Sequence, residues 1–154
     1  MPPPYSVRLA TAGDGPPLLG LWGSLFDEDD GATQGAWRAH AHKWFARVVT
    51  DADAAHFPVV TIDRIIVATA IGTIELGVPN PQCPRGRVVR LANVVTLPDH
   101  RGNGYGSLLV RDIVQWARSI GADRVDLSAT PAGQRIYEKA GFVLTSAPRM
   151  KLVL

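Results

Sequence analysis

Apolar and polar positions along the chain follow two periods, and each stretch of regular period predicts one element. Residues 6–10 alternate, with Val7 and Leu9 on one face, which predicts a short strand. Asp14 precedes Gly15, Pro16 and Pro17, and a capping acid followed by proline in the first turn predicts a helix start. Leu18, Leu21, Trp22, Leu25 and Phe26 supply that helix with an apolar stripe. The acidic run 27–30 ends it, and Thr33 stands ready to cap a second helix. There Trp37, Ala41, Trp44, Phe45 and Val48 recur at helical spacing. From Phe57 the period shortens. Residues 57–62 and 65–76 are rich in β-branched side chains and read as two antiparallel strands, with Asp63-Arg64 as the tight turn between them. Pro79, Pro81, Pro84 and Gly86 punctuate 78–86, which reads as a loop, and 87–97 is a third long strand ended by Pro98.

A helix follows a glycine-rich segment, with Leu108, Leu109, Ile113, Trp116, Ala117 and Ile120 facing inward and Gly121 stopping it. Residues 124–127 read as a short buried strand. Thr130-Pro131 opens a further helix that Gly141 closes, and 142–144 and 150–154 read as final strands. Helices packed on a mixed sheet, an α/β arrangement, is the economical solution for that order. The chain has 154 residues, no repeats and no dividing linker, so residues 1–154 are expected to form a single domain.

Composition narrows the function. Sixteen Lys and Arg stand against fourteen Asp and Glu, and the cations are scattered rather than gathered in a stripe. No nucleic-acid partner is therefore expected; a local anion site for a phosphorylated small molecule fits better. Cys83 is the single cysteine, which excludes an intrachain disulfide and a cysteine metal cluster, and its proline-rich surroundings suggest a surface loop. His40 and His42 lie two apart and point to different sides of a helix. His56 and His100 lack partners at useful spacing, so no metal site is expected. Residues 1–5 lack a signal-peptide pattern and no apolar stretch reaches membrane-spanning length, so no membrane partner and a cytoplasmic location are expected.

The most informative stretch is 94–109, where a strand ends, glycines alternate at Gly102, Gly104 and Gly106, and an apolar-periodic helix begins. The first amides of a helix have no internal partners and carry partial positive charge. Glycines let that backbone approach a bulky anion, and Arg101 adds a full cation, so pyrophosphate binding is implied. A nucleotide-triphosphate loop would need a lysine after its last glycine, where Ser107 stands. A dinucleotide site, with Asp126 on a ribose, lacks the right glycine spacing and enough following chain. A plain turn without ligand needs only one glycine.

At these residues the chain resembles the Gcn5-related N-acetyltransferases. Their signature of Gln or Arg, two residues, Gly, one residue, then Gly or Ala is filled by Arg101, Gly104 and Gly106, after the lead-in Pro98-Asp99-His100. A second likeness is Tyr137-Glu138-Lys139-Ala140-Gly141-Phe142, similar to the ending of the family's late helix. The order of elements also matches over nearly the whole chain. The resemblance implies a mixed, mostly antiparallel sheet of six to seven strands flanked by about four helices and splayed between the fourth and fifth strands. It implies acetyl-CoA as acyl donor, with the pyrophosphate on the amides of Arg101, Gly102, Asn103, Gly104, Tyr105, Gly106 and Ser107. The pantetheine arm would lie along the strand bearing Val95 and Leu97, and Tyr137 would protonate the departing thiolate.

Some bacterial relatives carry a glutamate base just before the asparagine matched by Asn93; this chain has Ala92 there. Glu75, on the neighbouring strand, is the substitute expected, and Asn93 could position a water. The acidic run 27–30 falls where the family builds its acceptor pocket, as either a lure for a cationic amine or a solvated loop. The expected acceptor is a small-molecule primary amine. An acyl carrier protein as donor, a homodimer, and a non-catalytic acyl-CoA-binding module stay open as alternatives.

Overall fold

The computed structural model describes residues 3–26 and 34–154. The acidic run 27–30 and Thr33 lie outside the described residues. The order is β1 (Ser6–Leu9), α1 (Gly15–Gly23), α2 (Gln34–Val48), β2 (Ala55–His56), β3 (Pro58–Ile62), β4 (Ile65–Leu76), β5 (Arg87–Thr96), α3 (Tyr105–Ser119), β6 (Arg124–Asp126) and α4 (Gln134–Lys139). Six strands form one sheet in the order β1-β3-β4-β5-β6, with β2 also paired to β4. Every pairing is antiparallel except β5 with β6.

The β3–β4 hairpin closes on Ile62↔Ile65. Asp63 and Arg64 both sit at positive φ, 50° and 68°. Two successive left-handed residues match the right-handed twist of the strands they join. Beyond α3, Gly121 takes φ 73°, while the Ala122 amide donates to Ala117 O at 3.0 Å and the Gly121 amide to Arg118 O at 3.2 Å. That pair of bonds satisfies the last helical carbonyls and turns the chain into β6.

Two apolar clusters lie on opposite faces of the sheet. On one, Leu109, Val110, Ile113 and Trp116 of α3 pack against Val60, Ala68, Ala70, Val89 and Leu91. On the other, Leu18, Leu21 and Trp22 of α1 and Phe45 of α2 meet Phe57, Val59, Ile66, Ile71 and Val95. The tryptophan stripe is aromatic core: Trp22 lies 6.0 Å from Phe45 and 6.3 Å from both Trp44 and Phe57, between ring centroids. The close approach of α3 depends on Gly72, where a Cβ would stand 3.0 Å from Ile113 Cγ2 and from Trp116 Cζ3. Trp116 is further held by its indole N–H on Ala52 O at 2.8 Å and by stacking on His56, whose Nε2 lies 2.7 Å from Asp112 Oδ2. No described helix is long and apolar enough to cross a membrane.

Three expectations need correction. Asp14 occupies the position before α1, but its carboxylate makes no cap bond to that helix. Instead Oδ2 accepts from the Thr11 amide at 2.7 Å, and the Arg8 guanidinium donates to both oxygens at 2.7 and 3.0 Å, because a full cation competes better than helical amides. Cys83 is buried rather than on the surface: its thiol donates to Asp123 Oδ2 at 3.0 Å, which also accepts the Arg85 and Arg87 amides. That hydrogen bond pushes the thiol pKa up, which disfavours the reactive thiolate. The strand expected at 57–62 is β3, and the short β2 before it is an additional strand that pairs with a different part of β4. Residues 142–144 and 150–154 form no strand, because no neighbouring backbone in the described chain pairs with them.

Two outcomes test these contacts. Gly72→Ala should lower stability by about 1–3 kcal/mol, read as an earlier urea midpoint, since a methyl must displace two side chains of α3. The Asp14 carboxyl is held down to about 2, first by its bond to Arg8 and then by the Thr11 amide. A depressed carboxylate stabilises above its unfolded pKa and loses that contribution on acidification. The thermal advantage of wild type over Asp14→Asn should be complete above about pH 4 and vanish as pH falls to about 2.

Candidate active site

The site begins where β5 loses its partner. Pairing with β6 runs Val88↔Arg124, Val89↔Val125, Arg90↔Asp126 and stops, whereas β5 continues to Thr96. From Leu91 onward the edge of β5 that faced β6 runs without a ladder among the described strands, leaving a slot. Arg90 clasps its closed end, with Nη2 donating to Ser128 Oγ at 2.9 Å. Neither residue stood out in the sequence, because only the pairing register reveals that the sheet divides there.

Inside the slot β5 carries a bulge. The register passes from Thr69↔Val95 to Ile71↔Ala92, so Asn93 and Val94 together oppose the single residue Ala70. Asn93 takes φ 51°, a left-handed conformation that asparagine tolerates better than most residues. An inserted residue is left out of the ladder and its backbone turned from the sheet. The Val95 side chain is buried on the α1–α2 face, and Leu97 is half-buried, with its amide on Val67 O at 2.8 Å.

The slot ends at the start of α3. A short 3-10 turn, Pro98–His100, delivers the chain to Arg101, whose Nε donates to Thr96 O at 3.1 Å; Asn103 Nδ2 donates to His100 O at 2.9 Å. Gly102 and Gly104 take φ 82° and 80°, and a Cβ on either would meet nothing within 4 Å. Gly104 caps α3 without any side-chain bond, and the first helical bond is Leu108 N to Gly104 O at 3.1 Å. The amides of Tyr105, Gly106 and Ser107 therefore have no acceptor inside the helix, and no described side chain caps its start. The Tyr105 ring is turned inward, 2 % exposed and edge-on to Tyr5 at 5.2 Å, so this residue offers the site only its backbone.

Gly106 is the meeting point. A Cβ there would touch Val94 Cγ1 at 3.9 Å and Ile136 Cδ1 at 3.8 Å, so the bulge, the first turn of α3 and α4 converge on it. Tyr137, next along α4, is half-buried and packs edge-on to Phe142 at 6.0 Å. Burial pushes its phenol pKa above the ordinary value. Glu75 is not brought here. It is exposed and pairs with Val88, four residues of strand beyond Ile71, about 13 Å from the bulge. Asn93 thus lies at the bulge and Tyr137 follows, on α4, the residue that meets Gly106, while Glu75 lies at the far end of β4.

An open helix mouth, a bulged strand and a slot between them suit a long thioester with a diphosphate. The family model for the acetyltransferase (GNAT) family matches residues 22–142. The chain belongs to that family. A GCN5-related N-acetyltransferase from Ralstonia eutropha JMP134 superposes with a TM-score of 0.83 at 20% identity, covering 97% of this chain and 99% of that one. A predicted acetyltransferase from Clostridium acetobutylicum, solved with acetyl-CoA, gives 0.84 at 20% identity, covering 97% and 96%. Among curated proteins, the uncharacterized N-acetyltransferase YobR of Bacillus subtilis is 36% identical over 55 residues, 34% of this chain and 22% of that protein. The splay expected between the fourth and fifth strands falls, with β2 counted, between β5 and β6 of this sheet. Among the described residues no group of three or more His, Cys, Asp and Glu could hold a metal ion.

The two glycines of the loop should respond differently to a methyl group. Gly104→Ala should destabilise by roughly 1–2 kcal/mol through its left-handed backbone and weaken acetyl-CoA binding measured by calorimetry. Gly106→Ala adds only ordinary contacts in a helical position and should stay within about 0.5 kcal/mol of wild type.

Proposed function

We propose that this chain transfers an acetyl group from acetyl-CoA to a primary amine of a small molecule by direct attack. What carries the reading is the slot between β5 and β6 that opens onto the uncapped start of α3. In this reading the amides of Gly102, Asn103, Gly104, Tyr105, Gly106 and Ser107 hold the diphosphate; the Arg101 amide, expected among them, already donates to Pro98 O at 3.3 Å, so Arg101 contributes the charge of its guanidinium. The pantetheine hydrogen-bonds along the free edge of β5 near Val95 and Leu97, as an added strand would.

The amine must first be neutral: an alkyl ammonium of pKa about 10.4 costs roughly 4–5 kcal/mol to deprotonate at pH 7. A water held by Asn93 takes that proton; the separation of Glu75 from the bulge argues against direct proton transfer to it. The nitrogen lone pair then attacks the thioester carbon. The C–N bond forms, the oxygen becomes an oxyanion, and amides turned out at the bulge near Val95 donate to it. Collapse breaks the C–S bond. The thiolate takes a proton from the Tyr137 phenol, which the ammonium of the intermediate replaces through solvent. A phenol with a raised pKa stays protonated at neutral pH, as a donor must. A cytoplasmic setting fits a chain whose one cysteine, Cys83, is free.

A second reading has one observation in its favour: Ala92 supplies no carboxylate beside Asn93, which suits a module that binds acyl-CoA without turnover. Thiol release from acetyl-CoA with a panel of amines separates the two. Turnover with at least one amine is expected, and Tyr137→Phe should lower kcat by about 10²–10⁴ with little change in coenzyme binding. The phenol acts in its protonated form, so wild-type kcat should fall only above about pH 10, a limb that Tyr137→Phe abolishes. Tight binding with no turnover by any amine, and no effect of Tyr137→Phe, would establish the binding module.

A further inference from the structure

The two faces of β5 differ in kind. Val89 and Leu91 are buried in the α3-side core, which puts Arg90 and Ala92 on the opposite face. The ladders agree. Ala92 pairs with Ile71, part of the core on the α1–α2 side, while Arg90 pairs with Thr73 on β4 and with Asp126 on β6. Burial fades along this face, from Ile71, which is buried, through Thr73 and Arg90, which are half-buried, to Glu75, which is exposed. Arg90 therefore stands where the cover of α1 and α2 gives out, about 7 Å along the strand from Ala92 and the bulge.

Its charge is unmatched. Among the described residues the Arg90 guanidinium makes no ion pair, and its side-chain partner is the neutral Ser128 Oγ. Asp126, directly across the ladder, is taken by Arg124, whose Nε donates to both carboxylate oxygens at 3.0 and 3.2 Å. Glu75 shares the face but stands opposite Val88, and it forms no ion pair with Arg90. A guanidinium partly withdrawn from water, with most of its donor fork open, suits a carboxylate supplied from outside the chain.

The other side of the slot is occupied. Gly106 meets Val94 and Ile136, so α3 and α4 stand over the bulge there, and an acceptor must reach it from the face that carries Arg90 and Ala92. We propose that Arg90 selects the acceptor: the amine to be acylated also carries a carboxylate, which the Arg90 guanidinium holds while the amine lies over Ala92 and Asn93. Ser128 steadies the guanidinium at the closed end of the slot. Ala92, with only a methyl group, leaves the strand open between the two groups of the acceptor. This role rests on the acetyl transfer proposed above, for which it names the substrate class.

Acetyl transfer to a panel of α-amino acids, β-alanine and γ-aminobutyrate, each beside its carboxamide, tests it. The carboxamide of an α-amino acid has the less basic amine, so a preference for the acid cannot come from easier deprotonation. At least one acid should exceed its carboxamide in kcat/KM by roughly 10–100-fold, the worth of a charge-assisted pair. Arg90→Gln should erase that preference by raising KM for the acid, with acetyl-CoA affinity retained, and Arg90→Lys should keep part of it. An Arg90 that only held the slot together would lose activity with acid and carboxamide alike and weaken acetyl-CoA binding, and that result overturns the proposal. Equal rates for acids and carboxamides in wild type, or a preference that survives in folded Arg90→Gln, also overturn it and leave acetyl transfer standing. If no amine is turned over, calorimetry with coenzyme A bound decides. Acids held more tightly than carboxamides, in a manner lost in Arg90→Gln, uphold the carboxylate site and overturn the transfer reaction; no such difference overturns both.

Discussion

Unpaired backbone amides, kept unpaired by the way the sheet divides, are the constraint on which this molecule is organised. A strand interior to a sheet should have both edges bonded, and β5 does so only as far as Arg90. Beyond it the strand gives up one partner and, at Asn93 and Val94, part of the other. The next segment adds an uncapped helix start. Unsatisfied polar groups are costly when buried, so these three defects persist together only where water or a ligand can reach them.

The surrounding packing holds that defect open. On one face α3 is locked to β4 through Gly72, with Trp116 filling the space a side chain would take and His56, paired to Asp112, stacked on the indole. On the other, the aromatic cluster of Trp22, Phe45 and Phe57 supports the same strands from α1 and α2. Both helical layers bear on β4 and β5, so the bulge is set between two rigid walls. Gly106 then fixes how near α3 and α4 come to Val94. Chemistry that needs a thioester carbon, an amine and a proton donor aligned to a fraction of an ångström calls for this kind of support.

Much of this was legible in the residues alone. The hairpin turn at Asp63-Arg64, the helix stops at Gly121 and Gly141, and the glycine loop before α3 all announce themselves through local chemistry, because backbone sterics act over a few residues. Asp14 and Cys83 did not. Each was read by its neighbours in sequence, while its partner lay six residues away in Arg8 or forty away in Asp123. Residues 142–144 and 150–154 have strand-like sequence, yet a strand is a relation between two backbones, and no described strand pairs with them.

What the sequence by itself determined is most of the elements, the family likeness and the glycine-rich start of α3, since periodicity, glycine geometry and helix ends are properties of short stretches. Tertiary structure alone decided where β5 parts from β6, that Asn93 sits in a bulge, that Glu75 stands a strand's length from it, and that Ile136 and Val94 meet over Gly106. Register and separation depend on pairing between residues far apart in the chain, and a linear pattern carries no record of which backbone atoms those pairings leave over.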